Sequence, residues 1–534
     1  MGEAAANQSP PFADINLYLS DTALREAVVR GGGRADAEGL AEFGAEWGGV
    51  ARLDLGRLAN QHPPRLRRLD PAGERLDVIE FHPAWHDLMR AGMAHGLHNS
   101  TWNGGSHVAR AARVFMAYQA ESGHMCPVTM THAAVAALRA EPDMLARWLP
   151  LVAGNAYDAS FKPWWEKSAV TLGMGMTERQ GGTDVRANST QATRHGKTYE
   201  ITGHKWFMSA PMCDAFLVLA QASGGLTCFL MPRFRPNGAV NGLHFQRLKD
   251  KLGNRSNASG EVTFVAAFAE RVGAEGQGVR SIIEMVQLTR LDCAIASAGL
   301  MRFGLAVALH HARHRAVFGR TLASQPAMQA VLADLALEVE AMTALVFRLA
   351  IACDRAPADP SEAAYVRLLT PAIKYFVCKA APGFLYEAME CLGGNGYVEE
   401  SPLARAYREA PVNAIWEGSG NVMALDVLRA AKRAPDAAAA VLTRLGAEAG
   451  EPARAQALID DLARQEPEAH ARMLTENLAR LATLAAMRAG PAAVAEAYAA
   501  ARLGPGARGG WGACGPGFAN ALLLERALPV SGPV

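Results

Sequence analysis

The stretch Gly173-Met-Gly-Met-Thr-Glu-Arg-Gln-Gly-Gly-Thr-Asp184 marks the point where the chain changes texture. Upstream, segments such as Leu24–Val29, Ala84–His95 and His107–Ala120 carry apolar residues at three- and four-residue spacing, the helical period. Gly- and Pro-bearing loops separate them, and Arg65, Arg67 and Arg68 read as a solvated, Pro-flanked loop. Downstream the pattern shortens to strands. Tyr199–Thr202 and Lys205–Met208 flank a Gly203-His204 turn, while Ala215–Gln221 and Leu226–Met231 flank Gly224-Gly225, a hairpin signal. Leu243–Leu248 and Glu261–Phe268 extend the β content to about Val272. Within the stretch itself, Gly173, Gly175, Gly181 and Gly182 allow close backbone approach, and Thr177 and Thr183 set hydroxyls beside amide donors. That chemistry suits the edge of a ring system or a pyrophosphate; a plain surface loop has the same composition.

After Gly278 long helical periods return in Ser281–His314, Met328–Cys353 and Ala363–Leu392. Short connections between them, with Pro360 and Pro411 as punctuation, predict an antiparallel bundle. Beyond Lys432 the chain becomes rich in Ala, Arg and Leu and reads as further helix. The expected fold class is therefore α+β and multidomain. Residues 1–172 form a helical N-terminal domain, 173–277 a central β domain, 278–433 a helical bundle and 434–534 a C-terminal helical extension. Strands that do not alternate with helices exclude a doubly wound nucleotide-binding sheet.

A length of 534 residues exceeds what one hydrophobic core organises. A formal net charge of +1 gives no global pull toward nucleic acid or anionic membrane. The eight cysteines are scattered without a CxxC pair, which reads as reduced thiols in a cytosolic setting. Neither a signal peptide nor an apolar run of membrane-span length is visible, so the expectation is a cytoplasmic protein with no membrane partner.

Four stretches carry candidate chemistry. Trp206-Phe-Met-Ser209 sets an aromatic wall beside hydroxyl and amide donors, although a lone tryptophan is as readily a core residue. Arg315-Ala-Val-Phe-Gly319, followed by Gln325, ends a helix with an arginine suited to a diphosphate or to the helix dipole. Leu392-Gly-Gly-Asn-Gly-Tyr397 makes a tight turn able to approach a ligand. In Ile415-Trp-Glu-Gly-Ser-Gly-Asn421, Glu417 lies between tryptophan and glycine; partial desolvation would make it a general base, and a helix-capping role is the alternative. His310, His311 and His314 lack an HExxH context or a third ligand, so no metal is expected.

In this order and spacing, the four stretches resemble the signature stretches of the acyl-CoA dehydrogenase superfamily. GMGMTERQGGTDV, HKWFMS, RLKDKLGNRSNAS and REAPVNAIWEGSGN are similar to its AidB-like, alkylation-response branch. The resemblance implies the acyl-CoA dehydrogenase fold with an added C-terminal helical extension, and FAD as cofactor. It assigns Met176, Thr177, Gly182, Thr183, Trp206, Met208, Ser209 and Ala210 to the flavin and pyrophosphate. Arg315, Phe318, Gln325, Gly393 and Gly394 are assigned to the adenosine diphosphate half of a neighbouring subunit's FAD. Trp416, Gly418, Ser419, Gly420 and Asn421 are assigned to closing over the cofactor. Glu417 then matches the catalytic base and Arg290 an active-site arginine, for α,β-dehydrogenation of a short or branched, isovaleryl-CoA-like acyl-CoA.

The resemblance further implies a homotetramer built as a dimer of dimers. Its alternative function is a flavoprotein of the alkylation-damage response that binds double-stranded DNA and keeps only vestigial dehydrogenase activity. After residue 440 nine arginines face nine acidic residues, so the compact basic group Arg429, Lys432 and Arg433 is the candidate DNA contact. Arg179 and Gln180 stand where ordinary dehydrogenases have proline after Thr-Glu, and the added charge alters access to the ring.

Overall fold

A computed structural model describes residues 7–464, 467–504, 511–514 and 520–529. The chain packs as two compact units. One, the β unit, comprises Ala51–Gly105 and Glu121–Thr289; the other, the helical unit, comprises the residues up to Val50, Ser106–Ala120 and those from Arg290 onward. Packing thus divides the helical segment 1–172, giving part of it to each unit.

The β unit begins with an antiparallel hairpin of β1, Arg65–Leu69, and β2, Arg75–Glu80. Arg65, Arg67 and Arg68 therefore sit in a strand, not in the loop the sequence suggested. Asp70 supplies the turn, its Oδ1 accepting the amides of Ala72 at 2.8 Å and Glu74 at 2.9 Å. With β1 almost wholly exposed, no apolar alternation announced it.

Seven further strands form the sheet: β3 (Leu172–Thr177), β4 (Gln191–His195), β5 (Thr198–Ser209), β6 (Ala215–Ala222), β7 (Gly225–Pro232), β8 (Leu243–Leu248) and β9 (Ser259–Val272). Their order is β3-β5-β4-β6-β7-β9-β8, and additional β3–β6 and β5–β9 pairings fold the sheet back on itself. Continuous apolar runs in β6 and β7 bury both faces, with Phe216, Val218, Phe229 and Leu230 in the core. The hairpin between them turns at Ser223-Gly224, as Ala222 pairs with Gly225.

Gly203 is not a turn. Strand β5 runs straight through it, with a register shift against β9 between Ile201 and Gly203. A Cβ at 203 would lie 2.4 Å from the Thr190 hydroxyl and 2.7 Å from Thr190 Cα, so glycine is required for a close strand approach at a bulge.

The helical unit is built on α1 (Gly278–His314, here from Arg290), α2 (Pro326–Arg355), α3 (Pro360–Glu390), α4 (Pro402–Asn413), α5 (Gly420–Arg433) and α6 (Ala471–Arg488). Helices α1 to α3 are apolar on most sides because neighbours cover them: α3 alone packs on α2, α4, α5 and α6. An 18-residue window of α1 reaches mean hydropathy 1.5, enough by length and composition for a membrane span, which the sequence reading had not found. That window is 94% buried in the protein, so it is a core helix. Helix His107–Ala120 joins α1 through Arg110, whose two guanidinium nitrogens donate to Asp292 at 2.6 and 2.7 Å. The C-terminal extension is tied to α2 by Arg502, which reaches Asp334 at 2.5 Å and Glu338 at 2.9 Å.

Candidate functional site

Each unit presents its own set of the candidate residues. On the β unit, β3 runs into the Gly-rich turn, and Thr177 pairs across the sheet with Phe207, Met174 with Ser209. Glu178 anchors the turn from below. Its carboxylate accepts Lys205 Nζ at 2.8 Å, the Ser189 amide at 2.7 Å and hydroxyl at 2.8 Å, and the Thr190 amide at 3.2 Å. Lys205 is buried and also donates to the Leu219 carbonyl at 2.7 Å. Burial alone would raise the Glu178 carboxyl; Lys205 and the neighbouring donors outweigh it and bring it down to about 2. Asn188 Nδ2 holds the Met176 carbonyl at 3.0 Å. Gly182 lies against Thr177, where a Cβ would meet Oγ1 at 2.5 Å. Gly182 and Thr183 are exposed, Met176 and Thr177 half-buried.

The aromatic wall differs in detail from its sequence reading. Trp206 carries Lys249 Nζ 3.4 Å from its ring centroid, with Arg179 at 5.7 Å and Arg247 at 5.8 Å, so its ring serves a cluster of cations. Met208 and Ala210 are fully buried, Met208 against the position of Gly175. The ring turned outward is Phe207, 46% exposed on the same strand. Strict alternation from the buried Tyr199, Ile201 and Lys205 would turn Phe207 inward; the register shift against β9 between Lys205 and Met208 reverses the faces, burying Met208 and exposing Phe207.

On the helical unit, Arg315 follows the end of α1. Its Nη1 donates to the Asn7 carbonyl at 2.6 Å; the Asn7 side chain accepts the Ala316 amide at Oδ1, 2.7 Å, and donates from Nδ2 to the Ala316 carbonyl at 2.8 Å. Ala316–Val317 pairs with Arg320–Thr321 as a two-residue hairpin. Phe318 and Gly319, at φ +51° and +76°, form a turn with both central residues left-handed, and Phe318 is 99% exposed. Gln325 braces the hairpin through the Val317 carbonyl at 3.2 Å. Gly393 and Gly394 face open space where side chains would sit.

The Trp416–Asn421 segment precedes α5. Glu417 lies at φ +58° and Gly418 at +109°, a left-handed pair uncommon for a glutamate. Trp416 Nε1 donates to Asn413 Oδ1 at 3.0 Å, and Asn421 Oδ1 accepts Arg472 Nε at 2.7 Å. Arg290 is buried; its Nε donates to the Glu417 carbonyl at 3.0 Å and its Nη1 to Asp426 at 2.7 Å. Burial pushes the Asp426 carboxyl up, and Arg290 with Arg367 more than reverses this. Lys374 donates to the Trp416 carbonyl at 2.8 Å and the Gly418 carbonyl at 2.6 Å. Arg290, Trp416, Glu417, Gly418 and Asn421 are thus brought into one cluster. Lys374, Asp426, Arg367 and Phe207 belong to these sets too, and the sequence reading missed them. Alternation along β5 points Phe207 inward, and only the register shift before Met208 turns it out; nothing local gives Lys374.

Gly418→Ala is expected to destabilise the helical unit by about 1–3 kcal/mol. An alanine at that φ is strained, and its Cβ would come 2.4 Å from the Met423 methyl. Urea denaturation followed by far-UV circular dichroism measures it.

The family model of the AidB N-terminal domain matches residues 7–159, that of the acyl-CoA dehydrogenase middle domain 173–267, and that of the C-terminal domain 276–432. The chain belongs to the acyl-CoA dehydrogenase family, whose cofactor is FAD. Within the family it falls in the AidB-like branch: it is 51% identical to AidB of Escherichia coli (strain K12) over 429 residues, 79% of each chain. The crystal structure of Caenorhabditis elegans ACDH-11 in complex with C11-CoA superposes with a TM-score of 0.82 at 25% identity, covering 99% of this chain and 93% of that one. An acyl-CoA dehydrogenase from Bacillus anthracis complexed with FAD shares the fold at a TM-score of 0.64 and 17% identity, covering 83% and 80%. Each unit offers surface that suits part of a flavin dinucleotide: on the β unit the outward Phe207 ring and the exposed Gly182 and Thr183, and on the helical unit the exposed Phe318 and the open backbone at Gly393 and Gly394.

Proposed function

We propose that this chain is an FAD-dependent dehydrogenase that introduces an α,β double bond into a short or branched acyl-CoA, with isovaleryl-CoA as the type of substrate. The observation that carries the reading is the left-handed Glu417, its carbonyl held by Arg290 in the stretch where the family places its base. Bound FAD supplies the acceptor for the hydride that leaves the β-carbon. Met176, Thr177, Phe207, Ser209, Gly182 and Thr183 hold the flavin and pyrophosphate; Arg315, Phe318, Gln325, Gly393 and Gly394 hold the adenosine diphosphate half in a second copy, within a homotetramer. Trp206, Met208 and Ala210 support this surface through packing and main chain. The Trp416 to Asn421 segment closes over the cofactor and excludes water, which strengthens every interaction with developing enolate charge. Glu417 takes the α-proton, made acidic by the thioester carbonyl.

Anaerobic addition of isovaleryl-CoA to the FAD-loaded chain is expected to bleach the flavin absorbance. Persistent yellow colour with short, branched and long acyl-CoA thioesters alike overturns the reading.

A second reading, duplex DNA binding, is favoured by one observation. Arg429, Lys432 and Arg433 are all exposed at the C-terminal end of α5, and the first two border an open groove of about 1080 Å³ that Arg464 also lines. Under this reading the protein acts in the alkylation-damage response. Retardation of a DNA duplex that weakens with salt and disappears in the Arg429/Lys432/Arg433→Ala variant is the expected result; retardation unchanged by the triple substitution removes it.

A further inference from the structure

Three consecutive main-chain carbonyls, those of Trp416, Glu417 and Gly418, are each taken by a buried cation. Arg290 from α1 takes the middle one and is held by Asp426. Lys374 from α3, 1% exposed, takes the outer two, at 2.8 and 2.6 Å. A buried ammonium is costly unless its donors are satisfied, and here the two carbonyls satisfy it. Lys374 and Glu417 both act on the buried Cys293 thiol, which burial holds well above its usual range.

We propose that Lys374 is a positioning residue for Glu417. By gripping the carbonyls on either side it fixes the left-handed backbone from which the Glu417 side chain departs. Arg290 completes the grip at the middle carbonyl, while Asp426 and Arg367 lock Arg290 in place. The inference rests on the reading of Glu417 as base and adds a residue to it.

The test uses the FAD-loaded full chain with Lys374→Met and Lys374→Gln. Amide hydrogen exchange across Trp416 to Met423 should quicken about tenfold in Lys374→Met, with the β unit unchanged. The Gln variant keeps one donor and should fall between, and it decides the matter if the Met variant does not fold. The rate of flavin reduction by a thioester that the unmodified chain oxidises should fall about 10²-fold, with substrate affinity little altered. In a Glu417→Gln background the same Lys374 change should remove less than about twofold more, because both act through one group. Unchanged exchange in this segment, or an equal loss in both backgrounds, overturns the proposal. If no thioester reduces the flavin of the unmodified chain, the proposed reaction fails while the exchange measurement still decides on Lys374.

Discussion

Glu417→Gln is expected to leave the chain folded and yellow with FAD while its rate of thioester oxidation falls by about 10³-fold. Glutamine has nearly the shape of glutamate but cannot take a proton. The conformation of this segment should persist, because Arg290 and Lys374 hold it through the main-chain carbonyls of residues 416–418, which the substitution leaves in place. The measurement is single-turnover reduction of the flavin by isovaleryl-CoA without oxygen, with cofactor content taken from the same spectra. A rate equal to that of the unmodified chain places the base elsewhere. A colourless protein would instead assign Glu417 to cofactor retention.

The second large effect is on stability. Lys205→Met removes the partner of a buried carboxylate and leaves Glu178 with only its Ser189 and Thr190 donors. Breaking a buried pair from one side costs about 3–5 kcal/mol, read as a lower urea midpoint for the β unit. The loss should depend on pH with a definite sign. In the folded chain the Glu178 carboxyl sits near 2 against an ordinary 4.5, so its contribution is complete above about pH 4.5 and fades as pH falls toward 2. In Lys205→Met the carboxyl can protonate instead, so the gap between variant and unmodified chain narrows through that same window. Glu178→Gln added to Lys205→Met should recover part of the loss at neutral pH; no recovery would mean that the pair is not what the β unit depends on.

Much of the architecture could be read from the chain because it is written locally. The three long helices were found from periodicity to within a few residues, and the β6–β7 hairpin from its Gly-Gly step. What failed was local evidence with two meanings. A glycine at a turn and a glycine at a bulge look alike, and only contact with Thr190 tells that Gly203 is the latter. The β1–β2 hairpin has too little buried surface to print a pattern. In the candidate site, Glu417 and the glycines were legible as candidates because the chemistry such a site would need fixes their type. The choice between Trp206 and Phe207 was not, since a shift of one position along a strand reverses its face. Lys374 was invisible for another reason: it sits in an apolar helix and acts on residues 42 and 44 positions away. The packing of helix Thr22–Arg30 on α2 likewise depends on long-range contacts that no window of sequence contains.

The left-handed glutamate has a consequence for how this chain can change. Its conformation is imposed from outside, through carbonyl oxygens that every amino acid possesses. The position behaves as a socket: aspartate, histidine or cysteine placed there would be presented along the same vector, with the strain of the left-handed backbone already met by the surrounding cations. New chemistry could then be tried by exchanging one side chain, without redesigning the loop that carries it.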